Sequence, residues 1–350
     1  MNISTVKGVQ IEAISACVPK NKVDNQEFAK NHFEEDLSAT IKALGMPERR
    51  TVLKESSTSL DLCVAAAERL FTGTDIKKQD IGAVIFVTLT PDCLMPNNSS
   101  YVQHLLGLSR NVATYDINHA CAGWLFGLWN AALIAQNMQT KVLLLDGDVN
   151  SKYVSPWDKN TALLFGDAGT ATVVSPNSNT PDWHFSFISD GRLRETVMMR
   201  LGMRYPIKQE YLQYCTMDDG SKRRFIDMEM HGNQVFEYAM SEVPTVATAF
   251  LDDLETSPQE YEKVIFHQAN HFMLKKLAKA IGFDHKVQMP VCLNKYGNTS
   301  SVSIPLTIAS ELDESTDHIF ALGIGAGMVL GMADLRLLGF KNFGVVEKDF

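Results

Sequence analysis

A cysteine, a histidine and an asparagine in this sequence stand where regular elements end, the usual place for reactive groups in α/β proteins. Cys121 lies in DINHACAGWLFG, at the end of a strand and the start of an apolar helix. A helix N-terminus sets partial positive charge and free N–H groups beside the sulfur, which lowers a thiol pKa and can hold an oxyanion. That geometry suits a nucleophile, although a cysteine taken alone is more often packing. His267 ends the strand in VIFHQAN, and Asn298 lies in NKYGNTSS. A lone histidine there is more often a satisfied structural residue. The combination is more specific than its parts.

The elements that must position these residues alternate. IGAVIFVTLT from Ile81 predicts a strand, and TPDCLMPNNSS a turn-rich loop. A helix is predicted over 101–108, a strand over 112–117, a helix over about 122–136 and a strand at LLLDGD. ALLFGDAGTATVV has a strand pattern broken by a tight interior turn. The helix after Cys121, AGWLFGLWNAALIAQ, is apolar on nearly every face and should lie between layers. Residues from Ser175 to about Asp227 lose periodicity and gain Pro, Gly, Asp and Arg, as in a segment that borders a site. Beyond it come a helix over about 234–254, a strand ending in KVIFHQAN, a helix over 271–281 and two glycine-joined strand runs in HIFALGIGAGMVLGMADLRL. Strand–helix alternation argues for an α/β fold, and the matching order of elements suggests a weak internal duplication.

The composition narrows the function. With 350 residues, 45% hydrophobic and 21% charged, the chain can bury a large core. Lys plus Arg is 32 and Asp plus Glu is 41, giving a net charge of −9 that opposes broad binding to nucleic acid or anionic lipid. No stretch approaches a membrane span and the first residues do not build a signal peptide, so a cytoplasmic chain is expected. The six cysteines are too dispersed for a disulfide framework or zinc knuckle. No metal is expected either: His119 with Cys121, and His267 with His271, mimic ligand spacings, but HQANH lacks the glutamate of a zinc hydrolase.

GMPERR, ACAGWLFGL, TALLFGDAGTATV, HGNQVFEYA, FHQANHFMLKKLAKAIGF, KYGNTSSVSIPL and GIGAGMVLG together resemble the β-ketoacyl-acyl-carrier-protein synthase III group of the thiolase superfamily, over nearly the whole chain. The resemblance implies a five-layered αβαβα thiolase fold of two duplicated halves: residues 1–175 with the cysteine, a capping segment 176–230, and residues 231–350 with the histidine and asparagine. It implies a homodimer and no permanently bound cofactor, with acyl-coenzyme A or an acyl-carrier protein and malonyl-acyl-carrier protein as substrates. Cys121 would take the acyl group, while His267 and Asn298 would hydrogen-bond the malonyl thioester carbonyl, and the backbone N–H groups of Cys121 and Ala326 would form an oxyanion hole. Asn270, Gly232 and Phe236 align with the pantetheine tunnel. Met95 aligns with the residue that a partner subunit contributes to the acyl pocket. Gly166, Gly169, Gly325 and Gly327 most simply serve tight turns and close packing.

Lys275, Lys276 and Lys279 on one helix could meet the acidic carrier protein. Arg192, Arg194, Arg200, Arg204, Lys222, Arg223 and Arg224 could border the entrance and bind a phosphate. The sequence also departs from the family pattern. LSATIKAL before Gly45 lacks the Trp and Arg that flank the adenine of coenzyme A, and Lys159 stands where a nucleotide-contacting arginine is expected. Glu237 and Phe272 occupy two positions that are often basic at the docking surface. These departures point to a specialised relative. Two other readings stay open at this stage: transfer of the Cys121-bound acyl group to a hydroxyl or amine without decarboxylation, and a non-catalytic partner subunit.

Overall fold

The computed structural model describes all 350 residues. In chain order its main strands are β1 (Ser4–Val6), β2 (Val9–Pro19), β3 (Ile81–Val87), β4 (Ala113–Ile117), β5 (Lys141–Asp148), β6 (Ala168–Pro176), β7 (Trp183–Ser189), β8 (Lys263–Phe266), β9 (His318–Gly325), β10 (Val329–Arg336) and β11 (Lys341–Lys348). Its main helices are α1 (Ser59–Gly73), α2 (Asn98–Leu105), α3 (Gly123–Met138), α4 (Gly232–Asp253), α5 (His271–Ile281) and α6 (Ser303–Glu311).

Two mixed sheets organise the chain. One has six strands in the order β11-β2-β6-β5-β3-β4, and the other has five in the order β1-β7-β10-β9-β8. The sheets interlock through the chain ends: β1 pairs with β7 in the second sheet, and β11 pairs with β2 in the first. Helices α3 and α6 touch both sheets and fill the space between them, α1 covers the outer face of the six-stranded sheet, and the α4–α5 pair covers the outer face of the other. These five layers form the thiolase fold. No helix is long and apolar enough to cross a membrane.

Local sequence explains the layering. In α3, Trp124, Leu125, Leu128, Ala131, Ala132 and Ala135 are buried, as expected for a helix with no charged face. By contrast, α5 buries Met273, Leu274, Leu277, Ala278 and Ile281 and turns its lysines to solvent. An Asp61–Thr58 capping box opens α1, satisfying N–H groups that would otherwise be orphaned.

Two segments differ from the sequence reading. The apolar run Ala162–Phe165 is not a strand, and only β6 within ALLFGDAGTATVV is extended. Its preceding residues are turns, because their backbone is held by a different partner, the loop that carries Asn298. Within 176–230, residues 183–189 form β7 and belong to the second sheet, while the remainder carries short strand pairs and 3-10 turns. Four of the seven basic residues singled out there are engaged by neighbouring carboxylates, while Arg194, Arg204 and Lys222 form no ion pair. Arg200 and Arg223 pair with Glu229, Arg223 also reaches Asp158 (3.3 Å), Arg224 pairs with Asp227 (2.6 Å), and Arg192 with Asp190 (2.7 Å).

Candidate active site

One cavity of about 130 Å³ gathers most of the residues singled out in the sequence. Cys121, His267, Asn298, Ala326, Asn270, Gly232 and Phe236 all line it, in walls dominated by apolar side chains. Met95 does not line it within this chain; it is 84% exposed in the 91–97 loop. Lys275, Lys276 and Lys279 are exposed on the outer face of α5, away from the cavity walls.

Cys121 sits just before the first turn of α3, and no side chain caps that helix. Of its first N–H groups, Gly123 N donates to Ala120 O (2.6 Å) and Leu125 N to Ala122 O (3.1 Å), so the turn that carries Cys121 is held by its own backbone. The strand β9 passes close behind: a Cβ on Gly325 would lie 3.1 Å from the backbone nitrogens of both Cys121 and Ala122. Glycine at this position lets the 325–327 turn, and with it Ala326, approach the cysteine.

His267 follows β8 directly and is only 5% exposed. Its Nδ1 lies 2.8 Å from the Ser303 hydroxyl, which also accepts the backbone N–H of Gln268 (3.2 Å). Asn298 is held from several sides. Its backbone N–H donates to Leu164 O (2.8 Å), its carbonyl accepts from Gly166 N (3.0 Å), and its side-chain Oδ1 accepts from Ser300 N (2.9 Å). Ser300 takes a left-handed conformation (φ 57°), which an L-residue adopts only when its surroundings enforce it. Its hydroxyl lies 3.8 Å from Cys121 Sγ.

The electrostatics correct one expectation. Burial pushes the Cys121 thiol up to about 12; a hydrogen bond from Ser300 opposes this and the nearby Asp148 carboxylate adds to it. Desolvation disfavours the thiolate, so the cysteine rests as a thiol. Burial pushes His267 down to about 4, which keeps its imidazole neutral near neutral pH. Beneath the site, Asp146 and Asp148 on β5 are fully buried and share the Ser301 hydroxyl, 2.6 and 3.4 Å away. Burial raises Asp148 to about 6 and holds Asp146 well above the usual carboxylate range, with the Asp148 charge adding to the effect. A neutral thiol, a neutral imidazole and an amide in an apolar cavity can support nucleophilic acyl transfer and donate hydrogen bonds to a developing oxyanion.

Sequence reasoning missed the groups that support these residues. Ser300 and Ser303 stand inside the NTSSVS run, where a cluster of hydroxyls in an otherwise buried stretch is the available signal. Asp146 and Asp148 also had one: acids two residues apart on an apolar strand face the same way. Arg49, from GMPERR, is buried, donates to Asn25 Oδ1 (3.0 Å) and supports the Phe165 carbonyl (3.5 Å). Nothing in its local sequence marks it as buried.

A layered αβαβα architecture with a helix-N-terminal cysteine facing a histidine and an asparagine defines the thiolase-fold acyl-transferring enzymes. Residues 115–191 match the family model for 3-oxoacyl-[acyl-carrier-protein] synthase III, and residues 251–337 match the model for its C-terminal region. The β-ketoacyl-[acyl-carrier-protein] synthase III of Porphyra purpurea is 30% identical over 94% of this chain and 99% of its own. A putative 3-oxoacyl-[acyl-carrier-protein] synthase 3 of Campylobacter jejuni is 29% identical over 97% of this chain and 98% of its own. A solved 3-oxoacyl-(acyl-carrier protein) synthase from Burkholderia xenovorans superposes with a TM-score of 0.90 at 30% identity, covering 99% of both chains. The chain belongs to the 3-oxoacyl-[acyl-carrier-protein] synthase III family, and it is a transferase.

Proposed function

We propose that the chain loads an acyl group from a thioester onto Cys121 and condenses it with malonyl-acyl-carrier protein to a β-ketoacyl thioester. The observation that carries this is the convergence of Cys121, His267 and Asn298 on one apolar cavity, with the cysteine at an uncapped helix N-terminus. In the first step Cys121 Sγ attacks the thioester carbonyl, the carrier sulfur leaves, and the thiol proton ends on that departing sulfur. The high resting thiol pKa means that proton loss must accompany attack. The backbone N–H groups of Cys121 and Ala326 hold the tetrahedral oxyanion.

In the second step the malonyl C–C bond to its carboxylate breaks, CO₂ leaves, and the electron pair passes to an enolate. His267 and Asn298 donate hydrogen bonds to that oxygen as its charge develops. The Ser303 hydroxyl already accepts from Gln268 N; by donating its own proton to His267 Nδ1 it sets the ring hydrogen on Nε2, which faces the substrate. The enolate carbon attacks the acyl-cysteine carbonyl. Collapse expels the Cys121 thiolate, which takes up one proton to close the cycle.

The carrier protein docks on α5, where Lys275, Lys276 and Lys279 share an exposed face next to Asn270 at the cavity. The enzyme works as a homodimer in the cytoplasm, with Met95 on its exposed loop reaching the partner's acyl pocket. It serves a specialised pathway rather than general chain initiation. That part rests on the missing adenine-flanking Trp and Arg, and on Lys159, which is engaged by Glu35 (2.5 Å) instead of standing free for a nucleotide phosphate. Purified protein given malonyl-carrier protein and a panel of acyl donors should release CO₂ and form the β-ketoacyl carrier. Acylation of Cys121 without CO₂ release would overturn condensation, and efficient use of acetyl-coenzyme A would overturn the specialised role.

A further inference from the structure

The cavity contains a fully unpartnered amide that the chemistry above does not use. Asn150 follows β5, opens a short 3-10 turn (Asn150–Lys152), lines the cavity and is only 1% exposed. Neither its Oδ1 nor its Nδ2 has a hydrogen-bond partner, and no other side chain with a buried, unpartnered polar atom lines this cavity. A buried amide normally finds partners, because leaving both its donor and its acceptor unpaired costs free energy.

The backbone around Asn150 is fixed independently of its side chain. Val149 N donates to Thr90 Oγ1 (3.0 Å), Ser151 N donates to Asp167 Oδ1 (3.0 Å), and Asn150 O accepts from Tyr153 N (3.0 Å). The amide is thus placed rigidly and left open, which is how a preorganised ligand contact is built. No Lys, Arg, Asp or Glu lines the cavity, so a charged ligand group would enter without compensation. A hydroxyl fits what is there: it can accept from Nδ2–H and donate to Oδ1 at once, whereas an alkyl chain would leave both unpaired.

We infer that Asn150 selects an acyl group carrying a neutral hydroxyl on its chain, so that the primer loaded on Cys121 is a hydroxyacyl rather than a plain alkyl thioester. This rests on the acyl-cysteine reading given above. Intact-protein mass spectrometry of wild type should be run with equimolar pairs of pantetheine thioesters: butanoyl or hexanoyl against their 2- and 3-hydroxy counterparts, and hexanoyl against ω-hydroxyhexanoyl. At least one hydroxylated donor should load about tenfold or more faster than its parent, since a site built to bind a hydroxyl rejects the analogue lacking it. Asn150→Leu, similar in size but apolar, should erase or reverse that preference. Equal loading of each pair by wild type overturns the inference even if the variant does not fold, and so does an unchanged preference in a folded Asn150→Leu protein, as when a water serves the amide. Failure of every donor to acylate Cys121 would instead overturn the acyl-cysteine reading itself, and this inference with it.

Discussion

Gly166 donates its backbone N–H to the carbonyl of Asn298 at 3.0 Å, and a Cβ at that glycine would fall 1.9 Å from Tyr296 O. The FGDAG turn and the KYGNTSS loop therefore meet backbone to backbone, with no room for a side chain between them. This contact, with the Asn298 N–H donation to Leu164 O, ties the Asn298 loop to the turn that precedes β6.

Replacing Gly166 with Ala should displace the Asn298 loop, cost roughly 2–4 kcal/mol of stability, and lower condensation by about 100-fold or more. Thermal melting and steady-state condensation assays check this. A variant with wild-type melting and turnover would show that the contact does not position Asn298.

That contact also marks where the sequence was legible. The α5 bounds, 271–281, coincide with its 3.6-residue pattern and its Asn270 cap, and the position of α3 between layers followed from its uncharged surface. Both are local signals. The run Ala162–Phe165 looked extended because four apolar residues precede a glycine, but its partner lies more than 100 residues away and the turn is set by tertiary pairing. The grouping of Cys121, His267 and Asn298 was legible only because three separate motifs resemble one family. Ser303 and Arg49 stand inside the quoted blocks KYGNTSSVSIPL and GMPERR, but their supporting roles depend on what they touch in space, and Asn150 lies in no quoted block.

A thiol raised to about 12 should be sluggish toward iodoacetamide in the resting enzyme. Its alkylation should rise about tenfold per pH unit between pH 7 and 9, as the thiolate fraction grows. Because the Asp148 charge adds to the elevation, Asp148→Asn should speed alkylation at a fixed pH in that range. Peptide mapping separates Cys121 from the exposed Cys93 and Cys215. A rate that levels off near neutral pH would contradict the raised value.

His267 is depressed to about 4 from an ordinary value of 6.5, so the unfolded chain binds more protons than the folded one between these values. Its contribution to stability is complete above pH 6.5 and is lost as pH falls through 4. Relative to His267→Asn, the wild type should lose about 3 kcal/mol of stability on going from pH 7 to pH 4. Parallel denaturant titrations of the two proteins measure it, and pH-independent differences would show that the imidazole is not held neutral by burial.

Charge reversal at Lys275 and Lys276 should raise KM for malonyl-carrier protein about tenfold, with the effect shrinking at high salt and with malonyl-pantetheine as substrate. An unchanged KM at low salt would move the docking surface elsewhere.

The central claim is that Cys121 carries an acyl group which a decarboxylated malonyl unit then attacks. Intact-protein mass spectrometry of the enzyme and malonyl-carrier protein together, across acyl donors and with Cys121→Ala as control, tests it most directly. The account predicts an acyl adduct on wild type only, and a shift of the malonyl carrier to the β-ketoacyl mass. An acylated enzyme beside unchanged malonyl carrier, or the same product from Cys121→Ala, would contradict it.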